Sequence, residues 1–138
     1  MDLPEVVCWE RVALAAHGVL GTRHPDRGVD LVPVVFAVED HQVIIPVDTV
    51  KPKRTLRLQR LGNLMSDPRC SLLVEHFDED WSRLWWVRLS GRGAERPPSP
   101  THLARLAEQH TQYGQAGAVA STIVFTADAV TGWAASVA

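Results

Sequence analysis

The chain has few cysteines, no long apolar run and no metal-ligand spacing, and each shortage removes a class of function. Its two cysteines, Cys8 and Cys70, lie far apart in unrelated contexts. They read as reduced thiols of a cytoplasmic protein rather than a disulfide framework or a metal knuckle. No apolar stretch approaches the ~20 residues that a membrane span needs. The opening residues, MDLPEVVCWER, lack the basic start and apolar core of a signal peptide. The six histidines (17, 24, 41, 76, 102 and 110) are scattered without HxxxH or HExxH spacing, and no serine or cysteine sits in a nucleophile-elbow context. Hydrolase chemistry therefore has little to stand on. The acidic triplet Asp78-Glu79-Asp80 reads as a solvated turn, and no metal is expected there.

What remains is an ordinary soluble composition. With 138 residues, 46% hydrophobic and 22% charged, the chain is expected to form one domain spanning 1–138. The net charge of -2 argues against a general nucleic-acid binder, which would carry basicity over a whole face.

Against this near-neutral background, the run VDTVKPKRTLRLQRLGNLMSDPR from Val47 to Arg69 stands out. Lys51, Lys53, Arg54, Arg57 and Arg60 crowd the opening of an expected helix, about Lys51 to Ser66, directly after a strand-like segment. A helix start exposes unpaired N–H groups and the positive end of the macrodipole, so added cations there favour a phosphate. A solvated basic helix face is the plainer reading of the same residues.

Elsewhere, residues from about Pro4 to His17 carry helical spacing, with Gly18 as a stop. Val29 to Val38 reads as one strand, with Pro33 at an edge, a bulge or a ligand-facing rim. After Glu39-Asp40-His41 the chain returns through Gln42 to Val47 as a hairpin. Further strands are expected at Arg69–Phe77, Trp81–Ala94 and Ser121–Ala127, and a helix capped by Thr101 runs to about Tyr113. Short antiparallel strands with helices inserted between hairpins suggest a small barrel with helices over its openings.

Four motifs in order, VPV (Val32-Pro33-Val34), VDxxKPKR (Val47 to Arg54), NLxxDPR (Asn63 to Arg69) and DEDWSRLWWV (Asp78 to Val87), resemble the split β-barrel proteins related to pyridoxamine 5′-phosphate oxidase. More narrowly, they resemble the actinobacterial branch of F420-dependent (deazaflavin) oxidoreductases. The resemblance implies a mainly β (α+β) fold: a six-stranded antiparallel split β-barrel with flanking helices, of the FMN-binding type. It also implies a homodimer with two cofactor sites in the grooves between subunits. By that likeness Lys51 and Lys53 hold the phosphate, followed by Arg54, with Arg57 or Arg60 serving if the helix is rotated. Val47, Asp48 and Thr49 would lie near the ring and ribityl chain, and Val32, Pro33 and Val34 along the other edge. The turn at Arg27-Gly28-Val29-Asp30 departs from the DGxPH-like turn common in related chains, and the substrate-phosphate residues of true pyridoxamine-phosphate oxidases find no match.

Trp85 and Trp86, adjacent in a strand, should face opposite sides. One reading places them in the barrel and the dimer interface; the other lets one of them wall the ring pocket. The implied activity is hydride transfer to or from a small organic substrate, with coenzyme F420 as the cofactor and FMN as the alternative. No catalytic side chain is assigned, because the cofactor carries the reacting centre. A non-catalytic cofactor carrier of the same fold is the rival from another class.

Overall fold

The computed structural model describes residues 1–48 and 58–136. Helix α1 (Glu5–Leu14) is followed by β1 (His17–His24), β2 (Gly28–Val35), β3 (Ala37–Glu39) and β4 (Gln42–Asp48). Then come α2 (Gln59–Ser66), β5 (Arg69–His76), a 3-10 turn (Trp81–Arg83), β6 (Trp85–Arg96), α3 (Pro100–Gln109) and, after a second 3-10 turn (Thr111–Gly114), β7 (Val119–Ala134). All pairings are antiparallel, in one seven-stranded sheet of order β2-β1-β5-β6-β7-β4-β3.

Seven strands replace the expected six because the expected Val29–Val38 strand breaks at Phe36. Phe36 is fully buried and outside any ladder; before it Val35 pairs with His17, and after it Ala37 pairs with Ile44. Its two flanking strands are the two edges of the sheet. One residue therefore joins opposite edges, which forces the sheet to curl around its core until they meet. No ladder joins β2 to β3 or β4 among the described residues, so the curl is closed by the chain rather than by hydrogen bonds.

Inside the curl lies the main core, including Leu20, Phe36, Ile45, Leu72, Leu89 and Phe125, all nearly inaccessible to solvent. Each such side chain contributes about 1.5–3 kcal/mol by leaving water. The three helices cover what the sheet leaves open. From α1 come Cys8, Trp9 and Val12. Leu61 and Leu64 come from α2, whereas Leu106 of α3 joins Ala37, Ile44 and Val119 in a smaller core on the far side of β3 and β4.

Several boundaries differ from the sequence expectation for local reasons. Helix α1 stops at Leu14 because Ala15 turns extended. Gly18 lies inside β1, where a Cβ would come within 2.7 Å of the Leu73 carbonyl oxygen. Trp81 belongs to the 3-10 turn, capped by the Asp80 carboxylate accepting from the Ser82 amide, so the strand opens at Trp85. For α3 the cap is Ser99, whose Oγ accepts from the His102 amide, with Pro100 in the first turn instead of Thr101 at the cap. The last strand runs through Gly132 and Trp133 to Ala134, with register shifts opposite Val47/Asp48 and Ser90/Gly91. The β3–β4 turn holds Asp40 and His41 at φ 48° and 61°, the two-residue hairpin geometry whose twist matches the strands. His41 stacks on Trp9 with ring centroids 4.7 Å apart.

Candidate functional site

The end of β4 and the start of α2 bracket the basic run. Thr49, Lys51, Lys53, Arg54 and Arg57 lie outside the described residues; Val47, Asp48 and Arg60 lie within them. Leu58 is extended, at φ -61° and ψ 136°, so α2 opens at Gln59 rather than at Lys51, and the expected helix start moves toward Arg60. Leucine has no capping oxygen, and no side chain caps this first turn among the described residues. The Leu61 amide donates to the Leu58 carbonyl, which leaves the amides of Gln59 and Arg60 without an acceptor among the described residues, a setting that favours an anion.

Arg60 sits in that turn. Its Nε is buried and has no hydrogen-bond partner among the described residues. Burial pushes the guanidinium below its ordinary range, and the nearby Asp48 carboxylate pulls the other way. A buried guanidinium donor without an acceptor is costly, and the cost is relieved when an anion meets it. Asp48, for its part, accepts a 2.7 Å hydrogen bond from the Tyr113 hydroxyl in the turn before β7. Burial and that carboxylate together push the Tyr113 phenol up to about 12, so it remains a donor across the physiological range. Tyr113 carried no motif in the sequence; its place follows from the register shift that brings Val119 opposite Asp48.

A polar cluster fixes α2 to the β1–β2 hairpin. The Asn63 side chain, fully buried, donates from Nδ2 to Thr22 Oγ1 and to Asp30 Oδ2, both at 2.9 Å, and accepts from Gln59 Nε2 at 2.9 Å. Arg27 adds a two-point pair to Asp30 at 3.0 and 3.1 Å. The Asn63 and Arg27 bonds hold the Asp30 carboxyl below its usual value. At the other end of the helix, Asp67 takes two hydrogen bonds from the Arg69 side chain, which with the Arg69 amide pull its carboxyl down to about 2. The Asn-Leu-x-x-Asp-Pro-Arg motif is therefore an orienting clamp for α2.

Val32, Pro33 and Val34 stand on the edge strand β2 and do not share a face. Val34 and Val32 turn into the core, whereas Pro33 is exposed. Pro33 opposes Val19, and its missing N–H is tolerated on an edge strand. Trp85 and Trp86 do face opposite sides. Trp85 packs against the core with the Arg11 guanidinium 5.0 Å from its ring centroid and His76 stacked at 6.3 Å. Trp86 looks outward, with Arg88 5.2 Å from its ring. The structure thus brings Val47, Asp48, Arg60 and Tyr113 to one end of the sheet but does not bring Val32–Val34 or either tryptophan into contact with them among the described residues. The acidic turn is used locally: Asp78 faces His76 at 3.6 Å and Arg83 at 3.9 Å.

A second feature was not visible in the sequence. Among the described residues, no helix covers the outer face of β2, β1, β5 and β6, which holds a groove of about 950 Å³ floored by Val19, Leu31 and Leu73. Arg23, Arg69, Arg88 and Arg92 line it. These four arginines come from three strands, so only the ladder registers bring them together. No helix among the described residues is long and apolar enough to cross a membrane.

No protein-family model matches the chain, and no curated protein sequence matches it. Solved structures do. A conserved protein of Mycobacterium tuberculosis superposes with a TM-score of 0.77 at 22% identity, over 96% of this chain and 86% of that one. A FAD-binding protein of Mesorhizobium loti gives 0.69 at 20% identity, over 96% and 93%. A FAD-binding protein of Mycobacterium smegmatis gives 0.67 at 14%, over 96% and 97%. These neighbours are split-barrel proteins, and the chain has their fold: a mainly β domain whose single curled antiparallel sheet is flanked by three helices.

Proposed function

We propose that the chain is a deazaflavin-dependent oxidoreductase, holding coenzyme F420 by its phosphate at the start of α2 for hydride transfer to or from a small organic substrate. The observation that carries this reading is the Arg60 Nε, buried without an acceptor among the described residues, in a first turn that none of them caps and directly downstream of the basic run. That environment suits a phosphate. Lys51 and Lys53 would hold it with Arg60, each charge-assisted contact contributing ~1.5–3 kcal/mol. Coenzyme F420 supplies the hydride-bearing carbon when bound. The chain's own part is to anchor the anion, keep α2 in place through Asn63, and keep Asp48 oriented through Tyr113. Two copies of the chain would enclose the cofactor in the groove between them.

A flavin in place of the deazaflavin is the second reading, favoured by the two fold neighbours named as FAD-binding. Tryptophan-fluorescence titration with F420, FMN and FAD separates the readings, repeated on Lys51→Ala/Lys53→Ala. Micromolar or tighter quenching by F420, lost in the variant, supports the first. Preference for either flavin moves the protein to the second. Binding of F420 without turnover of any reducible substrate leaves a carrier, and no binding of the three overturns both.

A further inference from the structure

Asp48 brings a negative charge to the mouth of a site that favours anions. It is the last residue of β4, exposed, and opposite Val119 of β7. The Arg60 guanidinium responds to this carboxylate but makes no ion pair with it among the described residues, and its Nε stays without an acceptor. A free carboxylate beside a guanidinium would close that gap and pair with it. Here the carboxylate is held back, because Tyr113 donates to Asp48 Oδ1 at 2.7 Å. Burial and the carboxylate push that phenol up to about 12, so it keeps the proton it donates.

Tyr113 is itself fixed. Its amide donates to the His110 carbonyl at 2.9 Å, and its ring meets the His110 ring edge-on at 6.2 Å. His110 is buried, and its Nε2 donates at 2.9 Å to the carbonyl of Phe36, the residue that joins the two sheet edges. Just before it, Gln109 Nε2 donates to the Ala13 and Ala15 carbonyls at the end of α1, at 3.1 and 2.9 Å. The hydroxyl is thus anchored to the core and to α1, and the Asp48 carboxylate stands where that hydroxyl puts it.

We propose that Asp48 is a charge filter at this site, lowering its preference for a doubly charged phosphomonoester relative to a singly charged phosphodiester. Tyr113 is the positioning residue that keeps Asp48 from occupying Arg60. The inference deepens the F420 reading and rests on it: the phosphate of F420 is a diester, whereas that of FMN is a monoester. The cations draw either form. Repulsion from Asp48 grows with the ligand's charge, so it costs a dianion about twice what it costs a monoanion. A fixed carboxylate that counts against the wrong charge supplies specificity rather than affinity.

The test uses two ligands that differ only in that charge: the ribityl 5′-phosphate of the F420 deazaflavin and its methyl diester. They are titrated at about pH 8, where the monoester is a dianion. Asp48→Asn keeps an acceptor for Tyr113 and removes the charge. It should tighten the diester by ~3-fold and the monoester by ~10-fold, the same repulsion counted once and twice. Tyr113→Phe should weaken both ligands by ~10-fold, because the freed carboxylate turns onto Arg60. In the Asp48→Asn background the same change should have no effect. A loss of equal size in both backgrounds overturns the role given to Tyr113. Equal gains for the two ligands in Asp48→Asn, or none, overturn the filter. Failure of both ligands to bind a wild type that binds F420 overturns the filter alone; if F420 also fails to bind, the reading beneath it falls too.

Discussion

The Asn63 amide donates to the Asp30 carboxylate at 2.9 Å, joining α2 to the β2 edge across 33 residues of sequence. That contact holds the candidate phosphate-binding turn against the barrel. Replacing Asn63 with alanine removes it together with the 2.9 Å bond to Thr22 and leaves buried polar groups unmet. A loss of about 2–3 kcal/mol in urea unfolding is expected. Asn63→Asp should be worse, because it sets a second carboxylate against Asp30.

Acid should act on the two depressed carboxylates that flank α2. The Arg69 pairing draws Asp67 from 3.8 down to about 2, so the folded state binds its proton less readily than the unfolded state. Its contribution is complete above 3.8 and fades as pH falls toward 2. Asp30 has the same sign through Asn63 and Arg27. The stability difference between wild type and Asp67→Asn should therefore be constant from pH 7 to about 5 and shrink at lower pH. A difference that grows on acidification contradicts the pairing.

Both thiols should be silent in the native protein. Burial pushes Cys70 up to about 12 and raises Cys8 in the same direction. The thiolate is the reactive form. A disulfide reagent at pH 8 should label neither cysteine until denaturant is added, and both afterwards. Fast native labelling of Cys70 would mean that the β5–β6 face opens.

Gly91 sits where the β6–β7 ladder slips by one residue, opposite Ala127. A Cβ there would run into the Thr126 carbonyl oxygen, a backbone atom that cannot swing away. Gly91→Ala should cost more than about 2 kcal/mol in unfolding free energy. Gly62→Ala, with open space at its Cβ, should be neutral or mildly stabilising in its helix.

Much of this architecture is legible in the chain. The strands expected at Gln42–Val47 and Arg69–Phe77, the Asp-Pro stop after α2 and the opposed faces of Trp85 and Trp86 are local signals, and each appears within a residue of where the sequence placed it. What local pattern could not supply is where one element meets another. From Leu31 to Val38 the segment is uniformly apolar, so nothing in it marks Phe36 as the residue that joins two sheet edges. Leu58 has good helix propensity yet is extended, which its own side chain does not foretell. The Tyr113–Asp48 bond and the arginines of the open face depend on strand registers that only the assembled sheet defines.

The central claim is that an anionic cofactor meets Arg60. Titrating coenzyme F420 into the wild type and into Arg60→Ala, followed by tryptophan fluorescence, tests it most directly. Saturable binding weakened ~10- to 100-fold in the variant, the loss of one charge-assisted contact of about 1.5–3 kcal/mol, is the predicted result. Equal affinities would mean that the buried guanidinium serves the fold alone, and the phosphate site would have to lie elsewhere.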